Sequence, residues 1–363
     1  MNDTRTVYVG GSGKTKRIGI GGAAPVSIQT MWKEGISGVL NDRDALFSVI
    51  GRIEQLGALG CDILRFAVPD EESADALVKI ASETEMPLVA DIHFDYKLAL
   101  RCLEGPVAKI RINPGNIGSK DRVAAVVNRC REKGAAIRIG VNAGSFPRDI
   151  AEAVAAGRMT RAEGLAETAV REAAVFDELG FDQVVVSMKA SSVRETIEAN
   201  EAFAAAHDIP LHIGVTEAGP LIGGIVKSTL AFSALLERNI GGTVRVSLSS
   251  SPENEVLTAR EILRETGKRP GGVKIVSCPR CGRDGFDVHG FVARWQNELM
   301  ALDKDITVAV MGCVVNGPGE GKHADIGITG AAGKVMIFKH GKIVHTVPEE
   351  CADTLFRKEL LSL

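Results

Sequence analysis

One pattern recurs eight times along most of the chain and limits the folds open to it. A short β-branched run, often entered from Gly, Pro or Ala, is followed each time by a stretch rich in Ala, Leu, Glu and Arg. In those stretches apolar residues return at three- and four-residue spacing, the signature of an amphipathic helix. The runs are VSIQTM (26–31), CDILRFAVP (61–69), PLVADIHF (87–94), VAKIRINPG (107–115), AAIRIGVNAGS (135–145), DQVVVSMKAS (182–191), LHIGVTEAG (211–219) and GTVRVSLSS (242–250). Helical segments between them include ALFSVIGRIEQLGAL, DRVAAVVNRCREKG, AETAVREAAVFDELG and SVRETIEANEAFAAAHD. Eight strand-then-helix units over about 240 residues match the count and size of a TIM barrel. An open doubly wound sheet is disfavoured, because no strand runs into a G-x-G-x-x-G turn and eight is the number that closes. A Gly-rich hairpin, TVYVGGSGKTKRIGIGG (6–22), precedes the first unit.

The pattern stops at RETGKRPGGVK (264–274), a basic linker with Gly and Pro. The expected organisation is therefore a barrel over 1–265, hairpin included, and a smaller α+β domain over 271–363. The smaller part opens on a strand with a C-x-x-C pair and continues with a helix (286–302) and a strand, ITVAVMGC (306–313). A Gly-rich loop, VVNGPGEGKHAD, leads to the strand IGITG, a hairpin (KVMIFKHGKIVHTV) and a last helix, EECADTLFRKELL. A net charge of −3 lacks the basic footprint of a nucleic-acid or anionic-membrane binder, so neither partner is expected. The polar N-terminus lacks a signal-peptide core, and no stretch approaches the roughly 20 apolar residues of a spanning helix. A soluble cytoplasmic protein is expected. Seven cysteines in so long a chain make no disulfide scaffold, and in a reducing compartment C-x-x-C reads as metal-binding or redox-active.

In a TIM barrel the site sits at the C-terminal ends of the strands. The late strand positions here read Arg65, Asp91 and His93, Arg111 and Asn113, Arg138 and Asn142, Ser187 and Lys189, Thr216 and Glu217, Arg245 and Ser247. Four arginines and a lysine would converge on one mouth with only Asp91 and Glu217 to answer them. Converging cations cost self-repulsion and desolvation unless an anion supplies the counter-charge. Arginine's planar fork matches phosphate oxygens, and Asn113, Asn142 and Ser247 add donors. The expected ligand is multiply anionic, a diphosphate rather than a single carboxylate. Glu217, a carboxyl group in a positive mouth, is a candidate acid/base, or else bridges two of the arginines. His93 could donate to a ligand or relay protons.

The metal question starts from Cys278, Cys281 and Cys313, a C-x2-C-x31-C set placed where strands give way to turns. A structural zinc usually takes four protein ligands from paired knuckles; Cys313 has no close partner, although His289 or His323 could complete such a site. An iron–sulfur cluster with one weakly ligated iron fits three thiolates plus a non-thiolate. A bare redox dithiol would not need Cys313. Glu320, seven residues past Cys313 beyond flexible glycines, could fold back as a fourth ligand or stand as an exposed turn residue. Cys61, Cys102, Cys130 and Cys351 read as small buried hydrophobes, with Cys351 alone able to compete as a further thiolate.

SCPRCGR and GCVVNGPGE, together with RINPGN, IRIGVN-GS and HIGVTEAG, closely resemble the 4-hydroxy-3-methylbut-2-enyl diphosphate synthase family of the methylerythritol phosphate route, from about residue 5 to the C-terminus. The resemblance implies a substrate-binding TIM barrel followed by a [4Fe–4S] domain, with Cys278, Cys281, Cys313 and an exchangeable Glu320 as cluster ligands. It implies 2-C-methyl-erythritol 2,4-cyclodiphosphate as substrate, reduced by two electrons with ring opening and loss of water. The diphosphate would lie on Arg65, Arg111, Asn113, Arg138, Asn142, Lys189, Arg245 and Ser247. Glu217 would give a proton to the departing hydroxyl with Thr216 and His93 beside it, and Asn316 would sit by the cluster. Flavodoxin or ferredoxin would deliver electrons, and a head-to-tail homodimer would share each active site between chains. Two stretches depart from the family pattern: a longer loop, QTMWKEGISGVLND, follows the first strand, and Gly321-Lys322-His323 follows Glu320.

Overall fold

The computed structural model describes residues 4–142, 144, 146–281, 285–313, 321–331 and 333–363. The chain forms two compact units, the first ending at Arg269 and the second beginning at Pro270.

The first unit is a parallel barrel preceded by an antiparallel hairpin of β1 (Val7–Val9) and β2 (Ile18–Ile20). Its strands are β3 (Ser27–Met31), β4 (Ile63–Ala67), β5 (Leu88–Asp91), β6 (Lys109–Ile112), β7 (Ala136–Asn142), β8 (Val184–Lys189), β9 (His212–Ile213) and β10 (Thr243–Val244). They lie in the order β8-β7-β6-β5-β4-β3-β10-β9. The Val186 N–H donates to the Pro210 carbonyl at 3.1 Å, and Thr216 N–H to Ala190, at the seam where β8 meets the β9 segment. The eight expected strands are all present. The last two are shorter than the runs predicted because their C-terminal halves, VTEAG and RVSLSS, leave the ladder as loops. Helices follow every strand, and short polar caps start them: Asp42, Asp70, Thr160 and Ser192 each accept a backbone N–H of the first turn.

The hairpin has a definite job. Val7, Val9 and Ile20 pack on Ile63, Val89, Ala108, Ala136 and Val185, all at the beginnings of barrel strands. That plug of apolar side chains closes the N-terminal end, so polar groups inside the barrel open only toward the opposite end.

The second unit has a mixed sheet, ordered β11 (Lys274–Ser277), β12 (Thr307–Met311), β13 (Ile326–Ala331), β14 (Lys334–Lys339) and β15 (Lys342–Val347). The first three strands run parallel and the last two form antiparallel hairpins. Helices Val288–Met300 and Glu349–Leu361 pack on one face through Phe291, Trp295 and Phe356, whose ring centroids lie 5.0 to 5.5 Å apart. Cys61, Cys102 and Cys130 are buried, as expected, and burial pushes each thiol up to about 12. Cys351 is a correction: it is exposed. The buried stripe of its helix is Ala352, Phe356 and Leu360, and Cys351 falls one position off that four-residue repeat. Among the described residues no helix is long and apolar enough to cross a membrane.

Candidate active site

Arginine and lysine side chains enter the barrel at every second residue of neighbouring strands. Register places Asp91, Arg111 and Arg138 at one level across β5, β6 and β7, and sets Asn142 of β7 beside Lys189 of β8. Asp91 accepts from Arg111 at 3.1 Å and faces Arg65 at 3.5 Å, so one carboxylate serves two guanidinium groups. Burial alone would raise the Asp91 carboxyl, but Arg65, Arg111, Arg138 and His93 outweigh it and hold it below the usual range. Arg138 is 2% exposed and donates to Ser187 Oγ at 3.0 Å, while its Nε meets no acceptor among the described residues. The Lys189 ammonium is buried and also meets no acceptor.

Burial first, and then mutual repulsion, pushes Arg138 and Lys189 well below their ordinary values. Arg65 falls to about 10, burial being the main cause, with Asp91 opposing it and Arg245 and Arg111 adding to it. Converging buried cations of this kind are the electrostatic pattern of a candidate site for a group of opposite charge.

The same strand alternation continues below the mouth and brings in residues the strand-end reading missed. Lys109, two positions before Arg111, is fully buried with no acceptor for its ammonium among the described residues. His212, two before Gly214, and Gln29 of β3 are buried with no side-chain hydrogen bonds among the described residues. Burial and the surrounding cations push both Lys109 and His212 well down from their ordinary values. Period-two spacing was the available signal.

Two motif glycines make room for the cations. A methyl group at Gly140 would lie 2.6 Å from Arg111 Nε, and one at Gly214 would lie 2.9 Å from Lys189 Nζ. Gly140→Ala should therefore displace the Arg111 fork while the fold survives. Calorimetry with inorganic pyrophosphate is expected to show roughly tenfold weaker binding, with unchanged far-UV circular dichroism. Unaltered affinity would show that Arg111 does not need that space.

Above these residues a cavity of about 560 Å³ is lined by Lys33, Thr216, Glu217, Gly219, Arg245, Ser247 and Leu248–Ser250. Glu217 sits at φ 48°, in the left-handed region that a residue with a Cβ rarely adopts. Such strain persists where surrounding structure imposes it, and here it presents an exposed carboxyl beside Thr216 in the cavity wall. Glu217 lines the cavity and forms no ion pair among the described residues. His93 is exposed, and its Nδ1 lies 3.3 Å from Arg111. A guanidinium can only donate, so Nδ1 accepts and neutral His93 carries its proton on Nε2. Asn113 caps the next turn by accepting from the Gly115 N–H at 3.0 Å. Asn142 is exposed at the end of β7.

The sequence reading gave the cations only Asp91 and Glu217 as carboxylate neighbours, and the structure corrects this. Glu255, 1% exposed, enters from helix Pro252–Glu265, with one oxygen 2.9 Å from Lys33 Nζ and the other 3.9 Å from Arg245. It was missed because it belongs to a helix start rather than to a strand end.

In the second unit, Cys278 follows β11 directly and Cys313 lies two residues beyond β12. The register pairs Ser277 with Val310, so both cysteines stand at the same end of adjacent parallel strands. Cys278 Sγ accepts the Gly312 N–H at 3.0 Å, as a metal-binding thiolate does. Arg280, between the two cysteines of the pair, has φ 69°, which turns the chain sharply toward exposed Cys281. Among the described residues no three Cys, His, Asp or Glu side chains are grouped closely enough to hold a metal. Asn316 and Glu320 lie outside the described residues. Soft sulfur donors at neighbouring strand ends, one already accepting a backbone N–H, fit an iron–sulfur group.

Fold and site together define a TIM-barrel protein with a cation-lined interior and a separate cysteine-bearing α+β unit. The GcpE TIM-barrel domain matches residues 4–260, and the GcpE protein C-terminal domain matches 274–361. A Treponema pallidum protein, 4-hydroxy-3-methylbut-2-en-1-yl diphosphate synthase (flavodoxin), is 60% identical over 99% of this chain and 92% of its own length. Proteins of the same name from Treponema denticola and Geobacillus thermodenitrificans are 54% and 46% identical, over 99% and 98% of this chain and 98% and 91% of their own lengths. This chain belongs to the GcpE family.

Proposed function

We propose that this chain is an iron–sulfur oxidoreductase that converts 2-C-methyl-erythritol 2,4-cyclodiphosphate to 4-hydroxy-3-methylbut-2-enyl diphosphate with electrons from flavodoxin or ferredoxin. The observation that carries the reading is the set of buried cations inside the barrel, which outnumber their carboxylate partners and keep nitrogens with no acceptor among the described residues. A cyclic diphosphate supplies the missing negative charge. Arg65, Arg111, Arg138, Lys189 and Arg245 hold its phosphoryl oxygens, with Asn113, Asn142 and Ser247 as donors. Binding energy from this anionic part fixes the carbon skeleton, so that positioning contributes to the rate.

Cys278, Cys281 and Cys313, with Glu320, would hold a [4Fe–4S] cluster. When bound, the cluster would relay the two electrons one at a time from flavodoxin or ferredoxin and would offer a Lewis-acidic iron. Glu217 gives a proton to the departing hydroxyl, which leaves as water. Thr216 orients that carboxyl group, and the Nε2–H of His93 donates to the ligand. Asn316 is assigned beside the cluster. The domains divide at the 264–274 linker, the enzyme works in the cytoplasm, and two chains arranged head to tail share each site.

Anaerobic isolation tests the assignment. A brown protein with broad absorption near about 400 nm is expected, and with a chemical reductant it should consume the cyclodiphosphate. A colourless, air-stable zinc protein, or a brown one inert toward that substrate, would sink the proposal.

A further inference from the structure

The loop that departs from the family pattern is firmly held. Trp32 stacks on Phe66 with ring centroids 5.4 Å apart, and Arg52 ties Glu34 at 2.6 Å to Glu253 at 3.4 Å. Lys33 projects from it into the cavity wall and has all three ammonium protons engaged. They reach Glu255 Oε1 at 2.9 Å, the Leu248 carbonyl at 2.9 Å and the Ser250 carbonyl. Lys33 thus fastens the segment that carries Ser247 while neutralising the buried acid behind it.

Glu255 is satisfied without Arg245. Besides Lys33 it accepts the Leu248 N–H at 3.0 Å and the Thr30 hydroxyl at 2.6 Å. It also sits in the first turn of its helix, started by Ser251 and Pro252, where the helix dipole favours a negative charge. Arg245 stays 3.9 Å away, and its Nε has no acceptor. Its hydrogen-bonding capacity and much of its charge therefore remain for a guest in the cavity.

We propose that Lys33 is a positioning residue for the anion site: by occupying Glu255 and holding the 247–251 loop, it keeps Arg245 available to the diphosphate. Without Lys33, Glu255 draws Arg245 into a direct ion pair, and the site loses one of its cations to an internal partner. This rests on the function proposed above and adds to it a residue from the chain's own variant loop.

The test is calorimetric binding of inorganic pyrophosphate and of the cyclodiphosphate to the anaerobically purified full chain. Lys33→Met should weaken both ligands about tenfold. Lys33→Met combined with Glu255→Gln removes the competing carboxylate, and affinity should return to within about threefold of the unaltered chain, a coupling that a merely structural role would not give. Glu255→Gln alone should bind at least as tightly as the unaltered chain. Lys33→Met binding within about twofold of the unaltered chain, or a double variant as weak as the single one, would overturn the proposal. An unaltered chain that holds pyrophosphate but not the cyclodiphosphate would instead overturn the proposed function, and the pyrophosphate series would still decide the role of Lys33.

Discussion

Replacing Arg138 by methionine is expected to weaken binding of the cyclodiphosphate by about 100-fold or more, while leaving the ligand-free protein as stable as before or more so. The two effects have one cause. Arg138 is almost wholly buried, its only side-chain hydrogen-bond partner among the described residues is the neutral Ser187 hydroxyl, and Arg65, Arg111 and Arg245 all repel it. In the free protein the attraction of Asp91 offsets only part of its desolvation. Methionine has nearly the same reach and adapts to irregular space, so the change removes a buried charge without opening a large void. In the presence of a dianionic ligand the balance reverses, because Arg138 then makes charge-assisted bonds in a dry interior. Thermal unfolding with and without ligand checks both signs: the midpoint without ligand should hold or rise, and the ligand-induced increase should disappear. A variant that unfolds early, or that keeps the ligand-induced increase, would show that Arg138 serves the barrel rather than the guest.

That opposition between stability and binding also explains which parts of the molecule could be read from sequence. Strand and helix periods are imposed by the core. Eight β-branched runs therefore announced the barrel, and the arginines at their ends announced the charge of its mouth. Elements not imposed by the core are harder to read. VTEAG looks like a strand continuation, yet it leaves the ladder so that Glu217 can take a left-handed conformation at the cavity. Gly140 and Gly214 look like ordinary strand glycines until the space above them is found to hold Arg111 and Lys189. Lys109 and His212 follow the same alternation as the recognised residues, but they lie too deep for a reading confined to strand ends. Glu255 and Lys33 meet across more than two hundred positions of sequence, and no local pattern in either segment predicts that pairing.

The cysteine unit poses the question of whether its metal is scaffold or catalyst, and Cys278→Ser should answer it. A structural metal supplies folding energy outright, so losing it unfolds the domain. Here the sheet is already covered by two helices, with Phe291, Trp295 and Phe356 stacked and edge-on against one another. Buried aromatic side chains of that size each contribute about 3 kcal/mol or more when removal is the measure. A core of this kind stands without help from the cysteines. Serine keeps an acceptor for the Gly312 N–H but loses the thiolate that iron requires. The expected outcome is loss of the absorption near about 400 nm and turnover below about one per cent of the unaltered chain. The helical signal should persist, and pyrophosphate affinity should stay within about twofold, because every side chain proposed to hold the anion belongs to the barrel unit. If the helix Val288–Met300 instead loses its amide protection along with the colour, the metal is scaffold. If the colour remains, Cys278 is not a ligand, and the bond from Gly312 is an ordinary feature of a strand end.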